Sequence, residues 1–244
     1  MKNRRNSRGK KTTYVLLALA MVLLLGSALG STRAALAYYS ENYSAEITVN
    51  QIGVSLLENG EVVSSRNYEN DKWNETSGEL LQNMLGENEK LKLGKKYDET
   101  LSVANSGTID QYVRVRIYKY WMKEDGSTKD TSLSPDLIRL NLVNSGQWIN
   151  PNPDAEDQEC TELYYKGVLP AGSSTADFAD GIVIDSKIAK EVEVTQENNV
   201  ITTTYKYDGV QFHVDVEVDA VQTHNAQDAI RSAWGVDAAA LGML

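Results

Sequence analysis

Two stretches of this chain alternate apolar and polar residues over ten or more positions, and no other feature constrains its fold as tightly. In Asp110–Trp121, DQYVRVRIYKYW, Val113, Val115 and Ile117 fall on one side, and Tyr112, Arg114, Arg116, Tyr118 and Tyr120 on the other. In Val210–Asp219, Val210, Phe212, Val214, Val216 and Val218 alternate with Gln211, His213, Asp215, Glu217 and Asp219. A period of two is the period of a strand with one buried face. The polar side of the first stretch reads either as a binding stripe of arginine and tyrosine or as a solvated face held by cross-strand pairs.

Shorter segments repeat the pattern. Val54–Leu57 and Glu61–Val63 flank Asn59-Gly60, a pair that tolerates positive φ and marks a tight hairpin. Strands are expected at Glu99–Ala104, Leu137–Val143, Thr161–Leu169 and Asp177–Asp185, and a further hairpin at Val192–Val194 with Val200–Tyr207. Residues 66–78, 122–136 and 150–160 read as polar connections. Two helices break the series. One, near 78–86, follows Ser77 and places Leu80, Leu81, Met84 and Leu85 on one face; the other, Asn225–Trp234, is capped by Asn225, stopped by Gly235, and turns Ala226, Ala229, Ile230 and Ala233 inward. About ten strands without strand–helix alternation predict an all-β fold: an antiparallel β-sandwich, jelly-roll-like, with two short helices.

The amino terminus differs in kind. Residues 1–37 hold seven of the chain's 24 basic residues and none of its 34 acidic ones, so residues 38–244 carry a formal charge of about -17. A body this acidic repels phosphate backbones, which excludes nucleic acid as a partner. Six of the seven basic residues precede the apolar run Tyr14–Leu29, and Ala35-Leu36-Ala37 fits an A-x-A cleavage site. The reading is a secretory signal over 1–37, cut after Ala37 to free Tyr38, with a single domain over 38–244. The chain then meets the membrane only through the signal segment before cleavage. A retained anchor extending to Ala37 is the alternative.

Residues that could carry chemistry are few. Cys160 is the sole cysteine, which excludes an intramolecular disulfide, and no HExxH, GxSxG or phosphate-binding glycine loop occurs. His213 with Asp215, and His224 eleven residues beyond, are the only candidate metal ligands; an ordinary solvated strand face explains them as well. The reading assigns no catalytic residue, no metal and no cofactor. The acidic run Asp154–Asp157 lacks the twelve-residue calcium-loop pattern. Trp73, Trp121 and Trp148 could stack on sugars or fill the core.

Cleavage after Ala37 would expose a tyrosine-rich, strand-prone segment over 38–50. Its Tyr38, Tyr39, Tyr43, Ala45 and Ile47 are the candidate donor residues for adding to the open sheet edge of another subunit. Such a contact repeats head to tail without closing. Pairing within its own domain is the competing possibility.

Several segments carry a family resemblance. Gly30–Ser40 is similar to a G-x-T-x-A-[YF]-[FL]-[ST] junction. Leu91-Lys92-Leu93-Gly94-Lys95 with Leu101–Thr108 resembles an L-x-P-G-[DE]…V-x-N-x-G-[ST] run, with Leu93 in place of Pro and Lys95 in place of the acid. Asp219–Ala226 looks like the end of related exported proteins. These are features of the camelysin/TasA family of exported Gram-positive proteins, processed by a specialised signal peptidase. The resemblance implies a secreted jelly-roll protein of the cell surface or biofilm matrix that forms a homo-polymer, or joins a related matrix protein, by donating its mature N-terminal strand. It also raises a secreted zinc metallopeptidase as an alternative, without a zinc motif to carry it. A surface adhesin or carbohydrate-binding module is the third reading.

Overall fold

A computed structural model describes residues 14–19, 51–197 and 200–244. The chain divides into two compact units, 1–49 and 50–244. In the first, residues 14–19 are helical and exposed. No helix among the described residues is long and apolar enough to cross a membrane. The cleavage site Ala35, Ala37 and Tyr38 and the donor residues Tyr38, Tyr39, Tyr43, Ala45 and Ile47 lie outside the described residues.

The second unit is an antiparallel β-sandwich, as the alternation predicts. Its larger sheet is ordered β3 (Lys72–Thr76), β2 (Glu61–Glu69), β1 (Gly53–Glu58), β5 (Leu101–Ala104), β10 (Ala179–Ile184) and β4 (Lys96–Tyr97), with β7 (Ile138–Leu142) also on β10. The smaller sheet is ordered β13 (Gln211–Gln222), β6 (Gln111–Met122), β9 (Cys160–Tyr165) and β8 (Trp148–Ile149). Strands far apart in sequence neighbour one another in both sheets, which gives the sandwich its jelly-roll-like interleaving. β11 (Val192–Glu197) and β12 (Val200–Tyr205) form a separate ribbon.

The core lies between the sheets. Leu56, Leu101, Val103 and Ala179 of the larger sheet, with Phe178 just before β10, meet Val113, Val115, Ile117 and Leu163 of the smaller. Val113 and Val115 are 0% exposed, so the apolar face of the first alternating stretch is the inner face. The β1–β2 hairpin turns where expected, on Asn59 at φ 52° and Gly60 at φ 84°.

The outer face of β6 is only partly solvated. The C-terminal helix, Ala226–Trp234, covers one end of it, and Tyr112, Tyr164, Val221, Ile230 and Trp234 form a second buried cluster. The expected inward face of this helix is half right, because Ala226 and Ile230 are buried, Ala229 is half-buried, and Ala233 is exposed beside buried Trp234. Asn225 precedes the helix without capping it. At φ 51° its side chain makes no cap hydrogen bond, while Gly235 at φ 73° closes the other end by donating to Arg231 O.

The helix expected near 78–86 is absent. That stretch is a series of turns in which Leu81 has φ 64° and donates its N–H to Glu58 Oε1 at 2.8 Å. A left-handed residue in the first turn stops helix propagation, and about two turns of apolar periodicity do not nucleate a helix unaided. Leu81, Met84 and Leu85 instead pack as a flap against a third cluster around Tyr97, Trp121 and Ile182. The polar stretch 66–78 is not a plain connection either, because Arg66–Glu69 extend β2 and Lys72–Thr76 form β3.

Candidate functional site

The two sheets differ in width, and the mismatch creates a groove. β1 is the strand of the larger sheet packed on β13, the edge of the smaller one. β2 and β3 therefore overhang, with no described strand opposite them. Val54 pairs with Arg66 and Leu56 with Ser64 across β1 and β2; Arg66 pairs with Glu75 and Tyr68 with Trp73 across β2 and β3. Residues directly opposite share a face, so Arg66, Tyr68, Trp73 and Glu75 form the roof that continues the inner face beyond β13.

The free edge of β13 is the floor. It runs twelve residues in unbroken register with β6, with no bulge, proline or lysine, and its charged residues Asp215, Glu217 and Asp219 are engaged by β6 on the outer face. Among the described residues its other edge has no partner. Val214, Val216 and Val218 are half-buried and pack against the core from this edge.

Three cavities lie in a row along this edge. The largest, about 730 Å³, is lined by Val63, Leu80, Leu81, Met84, Phe212 and Val214 at one end. A middle one, about 470 Å³, lies between Val54, Leu56, Arg66 and Glu75 above and Val216 and Val218 below. The third, about 200 Å³, is walled by Trp73 and Trp234, with Arg114, Asp219 and Ala220 alongside. Together they span Phe212 to Ala220, about 26 Å of extended chain.

The opposite face of β13 is locked to β6. Arg114 Nη2 donates to Asp219 at 2.7 Å, Arg116 pairs with Glu217 at 2.7 Å, and Tyr120 Oη donates to Asp215 at 2.7 Å. The stripe of arginine and tyrosine is therefore neither a free binding stripe nor a simple solvated face: Arg114 and Tyr112 are buried, and Arg116 and Tyr120 are satisfied across the strand pair. The Asp215 hydrogen bond, with burial, pushes the Tyr120 hydroxyl up to about 12.

Other candidates do not converge. His213 stacks on Tyr120 with ring centroids 5.4 Å apart, and Asp215 is engaged by the same tyrosine. β13 continues about 30 Å past His213 before it ends at Gln222, and His224 sits exposed beyond it. No group of three His, Cys, Asp or Glu side chains among the described residues could hold a metal. Trp121 and Trp148 are 3% exposed and belong to the core, whereas Trp73 is 49% exposed, edge-on to Tyr68 and beneath the Arg66 guanidinium. Asp154–Asp157 are exposed. Cys160 is half-buried, and burial pushes its thiol up.

The residues Val103–Thr108 carry a structural role that sequence reasoning left open. The amide of Asn105, 1% exposed, donates from Nδ2 to Ile109 O and Leu169 O and accepts from Gly107 N–H. Thr108 clamps the chain just before β1: Gln51 N–H donates to Thr108 Oγ1 and Thr108 N–H to Gln51 O, both at 2.8 Å. The clamp fixes the start of β1 at the Trp73–Trp234 end of the groove, where Ile52 and Gly53 line the smallest cavity. No protein-family model matches this chain, and no curated protein or solved structure matches it significantly.

Proposed function

We propose that this chain is an exported, non-catalytic structural protein of the cell surface or biofilm matrix of a Gram-positive-type bacterium. It assembles into fibres by donating the strand-prone segment behind Tyr38 to a neighbouring copy. The observation that carries the reading is the unpaired edge of twelve-residue β13, without bulge, proline or lysine, beneath the overhanging β2–β3 roof. An open edge supplies main-chain hydrogen bonds and the flanking cavities take alternate side chains, the two requirements of strand addition. The signal-like residues 1–37 and the resemblance to the camelysin/TasA family point the same way. Electron microscopy of the chain beginning at Tyr38, beside one beginning at Ile52, tests it. Filaments from the first and none from the second are expected, and equal behaviour of the two removes the donor-strand reading.

The carbohydrate-binding alternative retains one specific observation, the exposed Trp73 at the mouth of an aromatic-walled cavity. A glycan array with wild-type chain and Trp73→Ala distinguishes it. The zinc-peptidase alternative has no comparable support, since its two histidines sit at opposite ends of β13.

A further inference from the structure

The groove is not symmetric along its length. Its Phe212 end is a wide cavity that includes Leu56, Leu80, Leu81, Met84, Phe212 and Val214, with no lysine or arginine in its walls and with Glu79 among them. Its middle presents Arg66, whose partner Glu75 is 59% exposed. Its Ala220 end is the narrow cavity between Trp73 and Trp234, with the Arg114 guanidinium and the Asp219 carboxylate at hand.

The segment Tyr39–Ile47 is asymmetric too. As a strand, one of its faces reads Tyr39, Glu41, Tyr43, Ala45, Ile47, and the other Ser40, Asn42, Ser44, Glu46. The distance from Tyr39 to Ile47 is about 26 Å when extended, the same as from Phe212 to Ala220.

Resting on the donor-strand reading above, we propose that the donated strand runs antiparallel to β13, with Ile47 level with Phe212, Tyr43 with Val216 and Tyr39 with Ala220. In this direction Tyr43, Ala45 and Ile47 fill the wide end against Leu80, Met84 and Val214, Glu41 faces Arg66, and the Tyr39 ring enters the Trp73–Trp234 cavity. Tyrosine suits that cavity, since its ring meets two indoles and its hydroxyl meets Arg114 and Asp219. On the outer face Glu46 lies opposite His213. The reverse direction places Glu41 in the wide cavity beside Glu79, and sets Glu46 opposite Asp219. Like charges directly opposite on paired strands are destabilising, and a carboxylate in an apolar cavity without a cation costs more.

The direction decides who can donate. A chain's own Ile52 lies at the Ala220 end. Were its own Ile47 at the Phe212 end, the five steps from residue 47 to residue 52 would have to span about 26 Å, whereas five residues reach at most about 18 Å. A segment folding back into its own groove must run parallel to β13. The antiparallel slot can be filled only by another copy, so the mismatch of charges that disfavours the parallel direction also disfavours self-insertion.

Cross-linking tests this in the chain beginning at Tyr38 with Cys160→Ser. Two donor variants, Glu46→Cys and Ser40→Cys, are each mixed with the acceptor variant His213→Cys under mild oxidation. Glu46→Cys is expected to form a disulfide-linked dimer with the acceptor, and Ser40→Cys none. A dimer from Ser40→Cys instead overturns the direction while filaments leave the donor-strand reading standing. Filaments in which neither pair cross-links overturn the register. A cross-linked monomer from Glu46→Cys and His213→Cys in one chain overturns the requirement for a second copy. Absence of filaments from the parent chain refutes the underlying reading and the direction with it.

Discussion

Arg114 and Asp219 sit directly opposite each other on β6 and β13, and the Arg114 guanidinium donates to Asp219 Oδ2 from Nη2 at 2.7 Å and from Nε at 3.0 Å. The arginine side chain is 9% exposed, its guanidinium lies 5.3 Å from the centre of the Trp234 ring, and a second carboxylate, Glu162, is 3.3 Å away. The pair thus joins three elements: the edge strand β13, its neighbour β6 and the C-terminal helix. Removing one partner leaves a buried charge half-compensated. Asp219→Ala is expected to lower unfolding stability by about 2 kcal/mol, below the usual figure for a broken buried pair because Asp219 is 31% exposed and Glu162 remains. Urea unfolding measures it; a loss near zero would mean that the guanidinium is well solvated.

Tyr164 and Tyr120 set the alkaline limit. Burial, together with a hydrogen bond to Glu162, pushes the Tyr164 hydroxyl up to about 12; the hydrogen bond to Asp215, together with burial, does the same for Tyr120. A folded value raised above the unfolded value, near 10, stabilises the fold below pH 10 and loses that contribution as pH climbs toward 12. Stability is therefore expected to fall between pH 10 and 12. Tyr164→Phe should flatten that decline, although it lowers stability at neutral pH. Denaturant midpoints across this range check it, and an unchanged slope in Tyr164→Phe would contradict the assignment.

Asn105 is a buried bracket rather than a turn former. Its side chain makes three hydrogen bonds, to Ile109 O, Leu169 O and Gly107 N–H, which tie the end of β5 to the loop after β9 and to the clamp on Gln51. Asn105→Ala removes all three from a site that water reaches poorly, at about 1 kcal/mol each. A destabilisation of about 2–3 kcal/mol is expected in thermal or urea unfolding. Asn105→Asp should be at least as damaging, because it turns an acceptor toward two carbonyl oxygens. Tolerance of aspartate would show that the amide donors contribute little.

What the sequence made legible follows which strands give every second residue to the core between the sheets. Val113, Val115 and Ile117, and Val214, Val216 and Val218, announce β6 and β13 because the core between the sheets takes every second residue, although Tyr112 of β6 joins a second cluster on the outer face. β3 announces nothing, since all five of its residues are exposed on the overhang; its one clue is Trp73 next to a run of polar residues. The apolar spacing of Leu80, Leu81, Met84 and Leu85 suggests a helix, but it comes from a flap whose side chains reach the core from successive turns. The groove itself was invisible for a physical reason: it arises from a difference in strand number between two sheets, and no single stretch of sequence encodes that difference. Arg114 looked solvated because its cover, Trp234, lies 120 positions downstream.

The two kinds of tryptophan separate assembly from stability. Trp121 is 3% exposed, donates its indole N–H to Ser134 O at 2.8 Å and packs edge-on to Tyr207, so its truncation opens a cavity in the third cluster. Trp121→Ala is expected to cost about 3–5 kcal/mol. Trp73 is 49% exposed and touches Tyr68 and Arg66 on a roof with nothing described beneath it, so Trp73→Ala should change unfolding by no more than about 0.5 kcal/mol. If the Trp73–Trp234 cavity anchors Tyr39 of a neighbouring copy, Trp73→Ala nevertheless slows or abolishes filament growth from the chain beginning at Tyr38, and Tyr39→Ala reproduces the defect. Loss of filaments with an unchanged denaturant midpoint is the expected pair of results, read by electron microscopy and urea unfolding on the same preparation. Normal filaments from Trp73→Ala would remove the aromatic anchor from the assembly.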